Sequence, residues 1–132
     1  MKILFVCTGN SFRSPVAEAL LKKLRKDLEV ESAGMHPAWA IAPNAKELLE
    51  GENAAEGLKK IPEWVGEKNL DEYDLIIVME ERHKQQILMF HPQVRNKITV
   101  WDVEDPIYLP AGSDKIVLEE IKKKVKKLAA SL

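Results

Sequence analysis

The sequence predicts an α/β fold: a three-layer sandwich in which a four-stranded parallel sheet carries helices on both faces, with a phosphate-binding loop after the first strand. Three observations lead there. The runs at 3–6 and 75–79 are apolar throughout, as strands covered on both sides require. Segments with apolar residues at helical spacing lie between the strands, so the two kinds of element alternate. The stretch Cys7-Thr8-Gly9-Asn10-Ser11-Phe12-Arg13-Ser14-Pro15 joins the first apolar run to the first helical pattern. That is the place of a ligand loop at the carboxyl edge of such a sheet.

Residues 2–6 form the first buried strand. Ser14 is placed at the N-cap of the first helix and Pro15 at its first helical position. Val16, Leu20 and Leu24, with Leu21 and Leu28 beside them, make its apolar stripe, and Lys22, Lys23, Arg25 and Lys26 suit its negative end. A second strand spans 28–32 and ends at Ala33-Gly34. Residues 35–42 read as loop. A short helix over 44–49 follows Pro43, with Gly51 as its stop. Residues 53–60 suit another helical turn or two, and 61–69 read as loop. The clearest strand is 75–79, followed by a helix over 80–90 that His91-Pro92 closes. A last strand over 97–101 leads into a loop, 102–112, rich in acids and prolines. Ser113 or Asp114 caps a final helix with Val117, Leu118, Ile121, Val125 and Leu128 at helical spacing.

The chain has 132 residues and neither repeat nor linker, so 1–132 is read as one domain. A formal net charge of -1 gives no reason to expect nucleic acid or membrane as partner. No apolar run reaches the ~20 residues that span a bilayer. Lys2 enters the first strand at once, so no signal peptide is expected. The one cysteine excludes a disulfide framework and a thiolate metal cluster. A lone thiol suits a reducing compartment, and a cytoplasmic location is expected.

The loop after the first strand carries the chemistry. Gly9 permits backbone angles that other residues avoid, and Asn10 tolerates them too. A loop that curls this way aims N–H groups inward as an anion nest, and the following helix adds its positive end. Arg13, six residues after Cys7, can hold two phosphate oxygens in its planar fork. The same features favour the Cys7 thiolate, and Ser14 can donate to the sulfur. The expected chemistry is a nucleophilic thiolate beneath a phosphoryl group. The competing reading of Cys7 is a small buried apolar residue at a strand end. The 102–112 loop follows the last strand and opens on the same edge. It offers Asp102, Glu104 and Asp105 as acids.

Residues 7–18, Cys7 to Glu18, resemble the N-terminal signature of the low-molecular-weight protein tyrosine phosphatases, in the arsenate reductase-like superfamily. Ser32-Ala33-Gly34, the strand from Asp74 to Met79 with Glu80, and Asp105-Pro106 resemble further motifs of that family in the same order. The resemblance implies a hydrolase of phosphotyrosine or similar aryl phosphate monoesters, acting through a phosphocysteine on Cys7. It implies that Arg13 and the loop backbone from Thr8 through Gly9, Asn10, Ser11 and Phe12 bind phosphate. Asp105 is the general acid and base, Asn10 fixes the loop, and Ser14 holds the thiolate. No cofactor and no metal are implied; the three histidines have no ligand-like spacing. Surface or cap roles suit His83 and His91. Tyr108 and Trp39 are candidate walls of an aromatic slot, with core packing the competing reading of Trp39. Trp64 and Trp101 suit core or loop anchors. The substrate is a phosphotyrosine protein or a small phosphomonoester, and a monomer is expected.

Three positions depart from the family pattern. Phe12 stands where most members carry a second cysteine, so Cys7 lacks an intrachain disulfide partner. Ile107 replaces the first of two tyrosines found in many eukaryotic members. Residues 58–70 lack the histidine that many members use to support the loop asparagine. Two other reactions stay open: arsenate reduction with an external thiol, and a phosphocysteine carrier of the sugar phosphotransferase type. So does a non-catalytic phosphate-binding module. The lysines at 122–127 are read as a solvated helix face, with a docking patch as the alternative.

Overall fold

A computed structural model describes all of residues 1–132. Four parallel strands, β1 Lys2–Cys7, β2 Glu29–Gly34, β3 Leu75–Val78 and β4 Ile98–Val100, form one sheet in the order β2-β1-β3-β4. The helices are α1 Arg13–Leu24, α2 Pro43–Gly51, α3 Glu81–Phe90 and α4 Ser113–Ser131. The expected α/β class, parallel sheet and strand count are all present.

β1 sets the layers. Ile3, Phe5 and Cys7 point into a core shared with α1, α2 and α4, while Leu4 and Val6 point into a second core beneath α3. These β1 side chains are at most 2% exposed. Each fully buried side chain of the Val/Leu/Ile/Phe class stabilises by about 1.5–3 kcal/mol, so β1 anchors both faces of the sheet. Phe5 also meets the Trp101 ring, centroids 5.3 Å apart. Trp101 is thus the core anchor expected, whereas Trp64 is half exposed and lies over Gly66, where a Cβ would strike its ring. Because β1 is central, the chain leaves it toward β2 on one side and returns to β3 on the other. The crevice at its carboxyl end is the topological switch point where such sheets bind ligands.

Several local expectations shift. Ser14 is not the N-cap of α1; Phe12 is, without a side-chain cap, because the Ser14 hydroxyl is turned to Cys7. Leu24 is 45% exposed at the helix end, outside the stripe that Val16, Leu20 and Leu21 bury. α2 runs through Gly51 and stops where Asn53 takes a left-handed φ of 55°. Residues 53–60 supply only one 3-10 turn, Ala55–Gly57. α4 is capped by Gly112 at φ 88°, not by Ser113 or Asp114, which lie within its first turn.

Candidate active site

The loop between β1 and α1 is tied down through its carbonyls. Met35 N–H donates to the Cys7 carbonyl (3.0 Å), His36 N–H to Thr8 (2.8 Å), Ala38 N–H to Gly9 (2.9 Å) and Ala42 N–H to Ser11 (3.0 Å). With the carbonyls held toward the segment after β2, N–H groups face the other way; Asn10 N–H reaches the Cys7 sulfur at 3.2 Å. The left-handed residue of the loop is Asn10, at φ 52°, not Gly9. Asparagine tolerates that conformation when its side chain is bonded locally, and here it is. Gly34 packs beneath: a Cβ there would lie 2.7 Å from the Thr8 carbonyl oxygen and 2.9 Å from Asn10 N.

Cys7 is 2% exposed, at the foot of a cleft of about 570 Å³. Its sulfur lies 2.9 Å from Ser14 Oγ. Asn10 Nδ2 donates to Ser14 Oγ and to Ser32 Oγ, each at 2.9 Å. Ser14 Oγ therefore accepts from Asn10, and its own proton faces the sulfur at 2.9 Å rather than the Ala33 carbonyl at 3.5 Å. The thiolate would receive two hydrogen bonds, from a hydroxyl and a backbone N–H, at the positive end of α1.

Arg13 is buried beside it. Its Nη1 donates to Glu80 Oε2 and to the Val103 carbonyl, both at 2.7 Å. Its Nη2 makes only long contacts, 3.3 Å to Thr8 Oγ1 and 3.4 Å to Asp105 Oδ2. The edge formed by Nε and Nη2 is thus the part of the fork left for a phosphate, while Nη1 anchors the plane.

Glu80, at the end of β3, was not singled out for a role by sequence reasoning. Burial pushes its carboxyl up, but hydrogen bonds and charge from Arg82 and Arg13 outweigh that and hold it down to about 2. Glu80 also caps α3 together with His83. His83 Nδ1 accepts the Glu80 backbone N–H (3.1 Å), so the neutral ring carries its proton on Nε2 and donates to Thr8 Oγ1 (2.9 Å). Burial, then the Arg13 charge, push its pKa down to about 4. The expected cap role of His83 is present, but the residue is fully buried, not at the surface. One signal could have found this pair: β3 ends on the same edge as β1, so its exit faces the loop.

The far wall of the cleft comes from the segment after β4. Asp105, Pro106, Ile107 and Tyr108 line it. Asp105 Oδ1 accepts the Ile107 N–H at 3.1 Å, which turns Oδ2 toward Arg13. Asp102 and Glu104 are exposed and do not line the cleft, so geometry separates Asp105 from its neighbours. Thr8, Gly9, Ser11 and Phe12 line the opposite side; Asn10 and Ser14 lie behind the loop. Tyr108 is 80% exposed at the mouth. Trp39 is not in the core: it is fully exposed, next to Ala38 on the rim.

This arrangement can hold a tetrahedral oxyanion over a sulfur with an acid opposite. Comparison with known proteins agrees. The family model of low molecular weight phosphotyrosine protein phosphatases matches residues 2–132. The chain belongs to this family. The low molecular weight protein-tyrosine-phosphatase Wzb of Salmonella typhi is 35% identical, across 91% of this chain and 83% of its own length. A protein-arginine-phosphatase of Bacillus subtilis is 36% identical, across 74% and 68%. A YwlE arginine phosphatase, solved as a cysteine-to-serine mutant with a phosphorylated active-site serine, superimposes with a TM-score of 0.89 at 29% identity, over 100% and 95% of the two chains.

Against the low-molecular-weight phosphatase pattern, the absent histidine is replaced by other support. Lys59 Nζ donates to Asn10 Oδ1 at 2.7 Å, and Glu63 N–H donates to the same oxygen at 2.8 Å. Phe12, in the place of a second cysteine, is 8% exposed and packs in the α1 core.

Proposed function

We propose that this phosphatase hydrolyses phosphotyrosine and similar aryl phosphomonoesters by a two-step displacement at Cys7. The observation that carries the reading is the sulfur held by Ser14 and Asn10 N–H within one cleft that also presents Arg13 and Asp105. The Cys7 thiolate attacks phosphorus, the bond from phosphorus to the ester oxygen breaks, and Asp105 in its acid form gives the departing oxygen a proton. Water then attacks the phosphocysteine, losing a proton to the Asp105 carboxylate, and the S–P bond breaks to return the thiolate. Arg13 and the loop N–H groups hold the equatorial oxygens through both transition states. The phosphorylated serine in the YwlE mutant supports a covalent intermediate at the equivalent position. Tyr108 at the cleft mouth and Trp39 on the rim would contact an aromatic leaving group, most readily on a phosphoprotein. A cytoplasmic monomer fits this reading.

A second substrate, phosphoarginine, is favoured by the arginine-phosphatase relative and by the carboxylates of Asp105 and Asp114 lining the cleft, which suit a guanidinium. The test is metal-free hydrolysis of para-nitrophenyl phosphate, phosphotyrosine peptide and phosphoarginine from pH 4 to 8. Cys7→Ser abolishes turnover, and Asp105→Asn lowers kcat by about 10²–10⁴-fold on the aryl ester. Faster turnover of phosphoarginine than of phosphotyrosine would favour the second substrate. An inert enzyme that accumulates phosphocysteine would favour the carrier reaction. Arsenate reduction with added thiol, without ester hydrolysis, would favour the reductase.

A further inference from the structure

Lys59 does more than fill the place of a missing histidine. Its ammonium has three protons, and each has an acceptor: Asn10 Oδ1 at 2.7 Å, the Ser32 carbonyl at 2.8 Å and Glu63 Oε1 at 2.8 Å. Its side chain is only 8% exposed. A lysine can donate and cannot accept. The amide group of Asn10 can be seated either way round, and the two seats differ in consequence. With Oδ1 toward Lys59 and Glu63 N–H, Nδ2 must donate to Ser14 and Ser32. Ser32 Oγ then donates to Glu18, and Ser14 has its own proton for Cys7, 2.9 Å away, with the Ala33 carbonyl farther off at 3.5 Å. In the opposite seat, Asn10 would accept from Ser14, and the sulfur would lose the hydroxyl donor and keep only the Asn10 N–H.

We infer that Lys59 is a positioning residue that, with the Glu63 N–H, sets the direction of the chain Lys59→Asn10→Ser14→Cys7, and so aims the Ser14 hydroxyl at the nucleophilic sulfur. The inference rests on Cys7 being the nucleophile and adds a residue that touches neither substrate nor sulfur. An ammonium is suited to the task because it only donates, whereas an imidazole nitrogen can donate or accept. The charged groups around the chain are few. Glu63 faces Lys59 and is itself bridged to Lys68; Glu18, bonded to Lys22, faces Ser32; Arg13, with Glu80 and Asp105, faces the cleft side of the loop.

The test reads the thiol without turnover. Alkylation of Cys7 by iodoacetamide is followed from pH 4 to 9 in wild type, Lys59→Met and Lys59→Gln, with thermal unfolding as a check on folding. Lys59→Met keeps the length and loses the donor; Lys59→Gln keeps a donor that can also accept. In Lys59→Met the alkylation profile moves to higher pH by about one unit, a roughly tenfold loss of rate on the acid limb. The plateau at high pH stays at the wild-type rate. Lys59→Gln moves less, in the same direction. Profiles that coincide with wild type would overturn the inference. Should Lys59→Met fail to fold, Lys59→Leu, which likewise has no donor, decides in its place: a shift upward supports the role, coincidence removes it. If instead the wild-type thiol titrates like a free cysteine, it is the nucleophile reading that fails, and the two failures are distinct.

Discussion

Glu80 presents a carboxylate held down to about 2 behind Arg13, 2.7 Å from its fork. It works against phosphate by charge and for it by geometry. In Glu80→Gln the repulsion goes, but so does the bond that fixes the guanidinium plane. A hydrogen bond to a charged group contributes about 1.5–3 kcal/mol, so kcat is expected to fall roughly 10- to 100-fold. Inhibition by inorganic phosphate should not weaken; a rise in its inhibition constant parallel to the fall in kcat would contradict the positioning role. Cys7 offers a second residue-scale prediction. With no other cysteine in the chain, peroxide should add oxygen to the sulfur and form no intrachain disulfide. Intact-mass measurement distinguishes these, since a disulfide would remove hydrogens.

Between β1 and α1 the reactive loop is held by the segment that leaves β2, through main-chain hydrogen bonds to the carbonyls of Cys7, Thr8, Gly9 and Ser11. Gly34 permits that approach. In Gly34→Ala the new methyl meets main-chain atoms, and relief requires the loop or β2 to move. The expected cost is about 1–3 kcal/mol, as for other overpacked sites, with a fall in Tm of a few degrees. Activity should fall more than stability predicts, because the displaced atoms are those that present N–H groups to phosphate. Gly9→Ala is the contrast: its Cβ would meet Ala38 and Ser11 at ordinary contact distances, and φ there is not left-handed. It should cost little, and a large loss would show that Gly9 is needed for another reason.

Acid should loosen the whole molecule through two groups of the site. His83 has its pKa pushed down to about 4 in the fold, against 6.5 for a free imidazole. Between those values the unfolded chain binds the proton and the folded one does not, so stability is lost as pH falls from about 6.5 toward 4. Glu80 behaves likewise lower down, losing its contribution as pH falls from 4.5 toward about 2. Thermal unfolding should show Tm dropping across the first window in wild type. His83→Gln should flatten that drop, while lowering Tm at pH 7 through the lost bond to Thr8. A wild-type Tm constant from pH 7 to 4.5 would contradict the burial of a neutral His83.

Much of this was legible along the chain, and the parts that were share a cause. An apolar run such as 75–79 reads as a doubly covered strand, and a cysteine, glycine, asparagine and arginine between strand and helix read as an anion loop, because local sterics and hydrogen-bond capacity favour those forms. Helix caps were less legible: Ser14 looked like a cap and is drawn to a sulfur that the loop brings beside it. Long-range partners were the least legible, with the shared edge of β1 and β3 the one pointer to Glu80 and His83. Glu80, His83, Lys59 and Glu63 reach the loop from distant segments, and only the β2-β1-β3-β4 order brings them there. Among the three acids of the last loop the residues alone left the choice open and the resemblance singled out Asp105; a turn at Ile107 brings it to face Arg13. Residue types and neighbours along the chain establish which chemistry is available. Which groups hold it in place depends on contacts between segments far apart in sequence, which no local pattern encodes.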